Sequence, residues 1–164
     1  MARGQPQDMP TFGLALIRIV TGLVLFSNGW RWLSESTLDG AAVGTIVTAS
    51  LGELSAPLAW WGDTFLLYNP DAIAFLWRWG ALWLGLLFIV GALTRPAGAL
   101  AALFLSHALC YGPREYELSF LLLLVSSLAI SSARAGRRLG LDAVFEQQLP
   151  SWMTWTRRSG SIFP

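Results

Sequence analysis

The stretch Thr11-Phe-Gly-Leu-Ala-Leu-Ile-Arg18-Ile-Val-Thr-Gly22-Leu-Val-Leu-Phe-Ser-Asn28-Gly29-Trp30-Arg31-Trp-Leu33 decides the fold class. It is apolar throughout except at Arg18, Asn28 and Arg31. A helix needs about 20 mostly apolar residues to cross a hydrocarbon core of roughly 30 Å, and this stretch meets that length. The polar residues 1–11 before it and the absence of a small-residue cleavage site mark it as a retained first span rather than a removed leader.

Three more stretches repeat the pattern. Residues 72–93 carry one charge, Arg78; residues 96–112 carry none and hold His107; residues 116–132 carry only Glu117 at their start. Thr94-Arg95-Pro96 breaks the second span from the third, with Pro96 in a first turn where its missing N–H is not needed. Gly112-Pro113 ends the third. The composition agrees: 54% hydrophobic and 13% charged, against roughly 25% charged in a soluble domain. The expected fold is therefore an all-α integral membrane protein, an antiparallel four-helix transmembrane bundle forming one domain over 1–150.

Residues 34–71 join the first two spans. They contain five acidic residues and no basic one. Their middle, 41–62, is apolar enough to consider as a fifth span, but Glu53 and Pro57 near its centre argue for an interfacial helix with Trp60 and Trp61 at headgroup depth. Arg95, Arg134, Arg137 and Arg138 fall on one side of the four spans, and the acidic segment falls on the other. Short arginine-rich loops stay cytoplasmic, which places both termini inside a bacterial inner membrane and the acidic loop outside. Residues 141–149 have the spacing of an amphipathic C-terminal helix that Asp142 could cap, and 151–164 form a Trp- and Arg-containing tail suited to the inner surface.

Several chemistries are excluded by count. The net charge of +1 gives no support for nucleic-acid binding. All 11 basic residues are arginine, so no lysine is present for a Schiff base or a Walker A loop. One cysteine, Cys110, cannot hold an iron–sulfur cluster alone, and one histidine, His107, cannot give bis-histidine haem ligation. No covalently bound cofactor and no metal site is expected. A redox centre, if the chain serves one, is a diffusing molecule such as a quinone or belongs to a partner.

The arginines inside spans carry the functional question, because a cation in hydrocarbon costs several kcal/mol unless it pairs, snorkels or meets water. Arg18 lies seven residues inside the first helix, roughly 10 Å deep at 1.5 Å per residue. It shares a face with Gly22, Leu25 and Gly29, so it points at a neighbouring helix; an architectural role and a substrate or proton role both stay open. Arg78 lies in the opposite leaflet, level with Arg31, and His107 and Tyr111 share one face of the third helix there. Arg31, Arg78, His107 and Tyr111, with Cys110 alongside, are the candidate ligand-binding set for an anion or a quinone carbonyl. The competing reading is an internal salt bridge of Arg31 or Arg78 with Glu115 or Glu117. Trp77, Trp79 and Trp83 crowd the second helix, as lipid anchors or as a wall for a quinone head.

Over residues 12–149 the chain resembles the DoxX/DoxD family of four-helix membrane proteins. The similarity lies in Arg18-Ile-Val-Thr-Gly22 continuing to Gly29-Trp30, in Gly91-Ala-Leu-Thr-Arg95-Pro96, and in Ala135-Gly-Arg-Arg-Leu-Gly-Leu141-Asp142. The long acidic first loop is more similar to the DoxD branch, which includes the membrane subunit of thiosulfate:quinone oxidoreductase. The resemblance implies a subunit of a quinone-linked membrane redox system, with thiosulfate as a possible donor and a second small subunit as partner. Two positions depart from the pattern: Ala81 stands where the family often has glutamate, and Trp32 where it often has lysine. Their loss favours a non-catalytic accessory subunit of a larger redox or photosynthetic complex as the alternative. A small transporter ranks third, since four spans without a repeat or a broken helix lack the usual architecture. The lipid bilayer is the certain partner, with a partner subunit or a second copy of the chain beside it.

Overall fold

The computed structural model describes residues 9–132 and 141–142, and every regular element among them is helical. Four long helices, α1 (Met9–Ser34), α4 (Pro70–Val90), α5 (Thr94–Tyr111) and α6 (Glu117–Ser132), are joined by short turns except between α1 and α4. There the chain forms α2 (Gly40–Leu51) and α3 (Ala56–Trp61), the latter running on into a π-helical turn, Gly62–Leu66. The long helices start and stop within three residues of the expected spans. The C-terminal amphipathic helix and the 151–164 tail lie outside the described residues.

Three helical segments are long and apolar enough to cross a membrane: Phe12–Ser34, Pro70–Val90 and Arg114–Ser132. These mark a membrane protein. The expected third span, α5, is not among them. Its first turn holds Thr94, Arg95 and Pro96, and Ser106 and His107 lie near its other end. The difference has a packing reason. Thr94, Ala97, Gly98, Ala101, Ala102, Leu105, Ala108 and Tyr111 of α5 are all buried, so much of its surface meets protein and needs small residues rather than lipid-soluble ones.

Glycine sets the two helix seams. A Cβ on Gly22 would lie 2.8 Å from Phe88 Cβ and 2.9 Å from the Gly85 carbonyl; one on Gly29 would lie 2.6 Å from Leu82 N; one on Gly85 would strike the backbone of Phe26. The backbones of α1 and α4 therefore touch, running antiparallel. On the other side, a Cβ on Gly98 would meet the Ser131 backbone at 2.8 Å, seating α5 on α6. Leu25, Leu84, Phe88, Ala97, Ala101, Leu105 and Ile130 fill the core between the pairs.

At one end of the long helices, Asp39 caps α2 by accepting the Ala42 N–H at 2.8 Å, and Asn69 caps α4 by accepting that of Ala72 at 3.2 Å, with Pro70 in the first position. Val43 and Val47 of α2 are buried with Leu38, Leu66, Ala74, Trp77 and Tyr111 in a second core. The acidic segment thus folds over the ends of α4 and α5 as short helices. The break falls where Glu53 and Pro57 stand, with Pro57 in the first turn of α3.

At the opposite end, α4 stops at Gly91, which adopts φ 71° and ψ 40° and donates its N–H to the Leu87 carbonyl at 2.9 Å. Leu93 follows at φ 50°, a left-handed conformation costing roughly 1–2 kcal/mol for a residue with a Cβ. Asp142 holds that turn in place. Its carboxylate accepts the Leu93 N–H at 2.6 Å, the Thr94 N–H at 3.0 Å and the Thr94 hydroxyl at 2.6 Å. Its own N–H donates to the Gly91 carbonyl at 3.0 Å, and that of Leu141 to Val90 at 3.2 Å. Asp142 thus caps α5, 48 residues upstream, while the helix after it that it was expected to cap lies outside the described residues. An α5 N-terminus with a leucine at the cap position has no side-chain acceptor of its own, so the later carboxylate serves it.

Arg18 is fully buried, and Asp142 is the carboxylate whose field acts on it. Gly22 faces Gly85 and Ile89 across the antiparallel seam. Arg18, one turn earlier, is level with the last turn of α4, whose free carbonyls favour a cation. Replacing Asp142 by Ala is expected to cost about 3 kcal/mol, the order seen when one partner of a buried charge pair is removed. An Arg18→Met/Asp142→Ala double variant recovers part of that loss but not the lost cap on α5. Thermal unfolding in detergent, followed by circular dichroism, measures both; strict additivity would break the coupling.

Candidate functional site

The half of the molecule beneath α2 and α3 contains an open cavity of about 560 Å³. Its floor is apolar: Leu25 of α1, Ala81 of α4, and Phe104, Leu105 and Ala108 of α5. Trp32, Trp77 and Phe120 supply aromatic walls, and Leu38 and Ile46 close it from the side of α2. Its polar groups gather toward the end where α1 exits. Asn28, Arg31 and Glu35 follow one another along α1, with Thr37 beyond, and Tyr116 and Ser119 stand opposite on the α6 side. The volume falls within the 300–1,000 Å³ typical of small-molecule sites, and so does the pattern of apolar walls with a few polar groups.

The four residues expected to bind ligand do not converge. Arg31 lines the cavity, exposed at its mouth, and forms no ion pair within 4.0 Å among the described residues. Arg78 is level with it but is not part of the lining. Its Nε donates to the Ala74 carbonyl of its own helix at 3.3 Å. The cause is angular: Trp77 and Ala81 turn toward the cavity, and Arg78 sits about 100° around the helix from Trp77.

His107 and Tyr111 form a separate cluster beneath α3. His107 Nδ1 donates to the Leu103 carbonyl at 3.1 Å, and its ring lies 6.5 Å from that of Trp61 and 6.2 Å from that of Tyr111. Tyr111 is buried, and its hydroxyl donates to the Leu58 carbonyl at 2.8 Å. A Cβ on Gly62 would come within 2.8 Å of that tyrosine ring. Tyr111 therefore ties α5 to α3 and its π turn. Cys110 packs against the second core.

The expected salt bridges of Arg31 or Arg78 with Glu115 or Glu117 are also replaced. Arg114 takes the acidic partners: its Nη2 and Nε reach Glu53 Oε2 at 2.7 and 2.9 Å, and its Nη1 lies 3.7 Å from Glu117. Both Arg114 and Glu53 are half-exposed, so screening by water keeps the pair's contribution to stability small. Its geometric effect is to tie the end of α2 to the α5–α6 connection beside the cavity.

The other singled-out residues are architectural by placement. Gly22 and Gly29 line the α1–α4 seam, the Arg95 carbonyl accepts the Ser131 hydroxyl at 3.1 Å, and Trp30 projects outward, stacked 6.5 Å from Phe26. Trp79 and Trp83 are exposed, and Trp77 is buried. Among the described residues no three His, Cys, Asp or Glu side chains converge as metal ligands.

Sequence reasoning passed over Asn28, Glu35, Phe104, Tyr116 and Phe120. One signal was present, the spacing Asn28–Arg31–Trp32–Glu35, which puts four residues on one face of α1. The two departures from the resembled pattern, Trp32 and Ala81, prove to face the same cavity. Tyr111→Phe is expected to lower stability by about 1 kcal/mol, the net worth of one hydrogen bond, while leaving the cavity's ligand affinity unchanged; denaturation midpoints and ligand titration on one preparation check both. Comparison with protein-family models, curated proteins and solved structures finds no match to this chain.

Proposed function

We propose that the chain is a multi-pass inner-membrane protein that binds a quinone in the outer-half cavity and serves as the quinone-binding subunit of a membrane redox system. The carrying observation is the cavity itself: apolar and aromatic in depth, with Asn28 at its outer end beside the Arg31 guanidinium, which has no ion-pair partner among the described residues. An aromatic or quinonoid ring fits between Trp32, Trp77 and Phe104. Its carbonyl oxygens are acceptors, matching the amide and guanidinium N–H donors.

The membrane arrangement supports this reading. In it all four long helices cross as an antiparallel bundle, α5 being the interior one at about 27 Å. Both termini are cytoplasmic, on the side of Arg95, and α2–α3 lie at the outer interface. Trp60, Trp61, Phe65 and Tyr68 of that segment are exposed, as headgroup-level aromatics would be.

Trp32 and Ala81 favour binding over chemistry within this chain. An alanine and a tryptophan offer the bound ring neither a carboxylate nor an ammonium for proton transfer. Oxidation of the donor, thiosulfate in the resembled enzymes, then belongs to a partner subunit, and this chain positions the acceptor. The accessory-subunit reading differs only in denying the quinone.

Titration of purified protein with a decyl-chain ubiquinone, followed by tryptophan quenching, tests the proposal. Ala81→Phe fills the floor and is expected to weaken binding about a hundred-fold, and Arg31→Gln about ten-fold, with unchanged unfolding temperatures. Equal quenching of wild type and both variants would leave the accessory reading in possession.

A further inference from the structure

The exposed residues of the cavity are not distributed at random. The lining residues from α2, α4 and α5 are all buried or half-buried. The exposed ones are Val24, Arg31, Glu35 and Thr37 on α1 and its exit, and Tyr116 and Ser119 on the α6 side. The cavity therefore opens between α1 and α6. The seams explain why a gap lies there. Gly22, Gly29 and Gly85 draw α1 onto α4, and Gly98 draws α6 onto α5. No glycine contact draws α1 onto α6.

The opening is long and graded. From Val24 to Glu35 along α1 is about 16 Å, roughly half of a bilayer core. Its outer end is polar, at Arg31, Glu35 and Tyr116. Its deep end is apolar, between Val24 on α1 and Leu123 on α6. A site filled from water would be open at the polar end and sealed from the lipid at the deep end. Here both ends are open along one slot. A cavity of about 560 Å³ also encloses a ring-sized head but not a long chain.

We infer that the cavity takes its ligand sideways from the outer leaflet, and that the ligand is a single-chain amphiphile. Its hydrogen-bond-accepting head lies at Asn28 and Arg31, and its chain leaves into lipid between Val24 and Leu123. This rests on the reading of the cavity as a ligand site. It adds the route, the orientation and the place where the chain leaves the cavity.

The test uses full-length protein in lipid nanodiscs and two probes, a decyl-chain ubiquinone and the same ring without its chain. Val24→Cys and Leu123→Cys are introduced together with Cys110→Ser, and the pair is joined after folding by a reducible bifunctional thiol reagent. Joining is expected to weaken binding of the chain-bearing probe about ten-fold and of the chainless ring less than two-fold, with reductant restoring the first. A Val24→Trp variant, its bulk added on the exposed side of α1, is expected to act as the cross-link does. Loss of both probes alike, or of neither, on closing the slot would overturn the lateral route while leaving the site intact. Failure of both probes to bind the unmodified protein would remove the site and the route together.

Discussion

One buried cation organises the end of this protein where α4 turns into α5. Arg18 has no water around it, so the chain must supply opposite charge, and Asp142 is the carboxylate that acts on it. The same carboxylate takes three hydrogen bonds from Leu93 and Thr94. It thereby holds a leucine at positive φ and starts α5. A residue from after the last long helix thus closes the turn between the middle two, and the fold is tied at the point where its ends meet. The cost of taking a guanidinium out of water is offset by a group already needed as a helix cap, together with the carbonyl end of α4.

The other end is built differently. Backbone contact through Gly22, Gly29 and Gly85 commits α1 to α4, and contact through Gly98 commits α6 to α5. The two pairs share a core near Leu25 and Ile130 but part toward this end, and the α2–α3 segment closes over the remaining space. The cavity is the consequence of those two close seams. Small residues that let helices touch in one place leave a slot in another.

Much of the helix framework was legible in the sequence. Apolar runs bounded by Gly91–Pro96 and Gly112–Pro113 place four long helices within three residues, and Glu53 with Pro57 rightly breaks the acidic segment. The site was less legible. Depth along a helix follows from counting, so Arg31 and Arg78 come out level. Direction around the axis also needs the packing partner, and only with it does Arg78 fall on its own backbone while Arg31 reaches the cavity. His107 and Tyr111 share a face as their spacing requires, but that face meets α3.

By itself, then, the sequence determined hydrophobicity, helix periodicity and the local breaks, because these depend on residues near one another along the chain. It also determined that a buried arginine would need compensation. The tertiary structure decided which charge compensates it, which faces of α1 and α4 meet, and where the space between the helix pairs opens. Each of these depends on residues brought together across 33 or more positions, as Gly98 and Ser131 are, and no local pattern encodes that pairing.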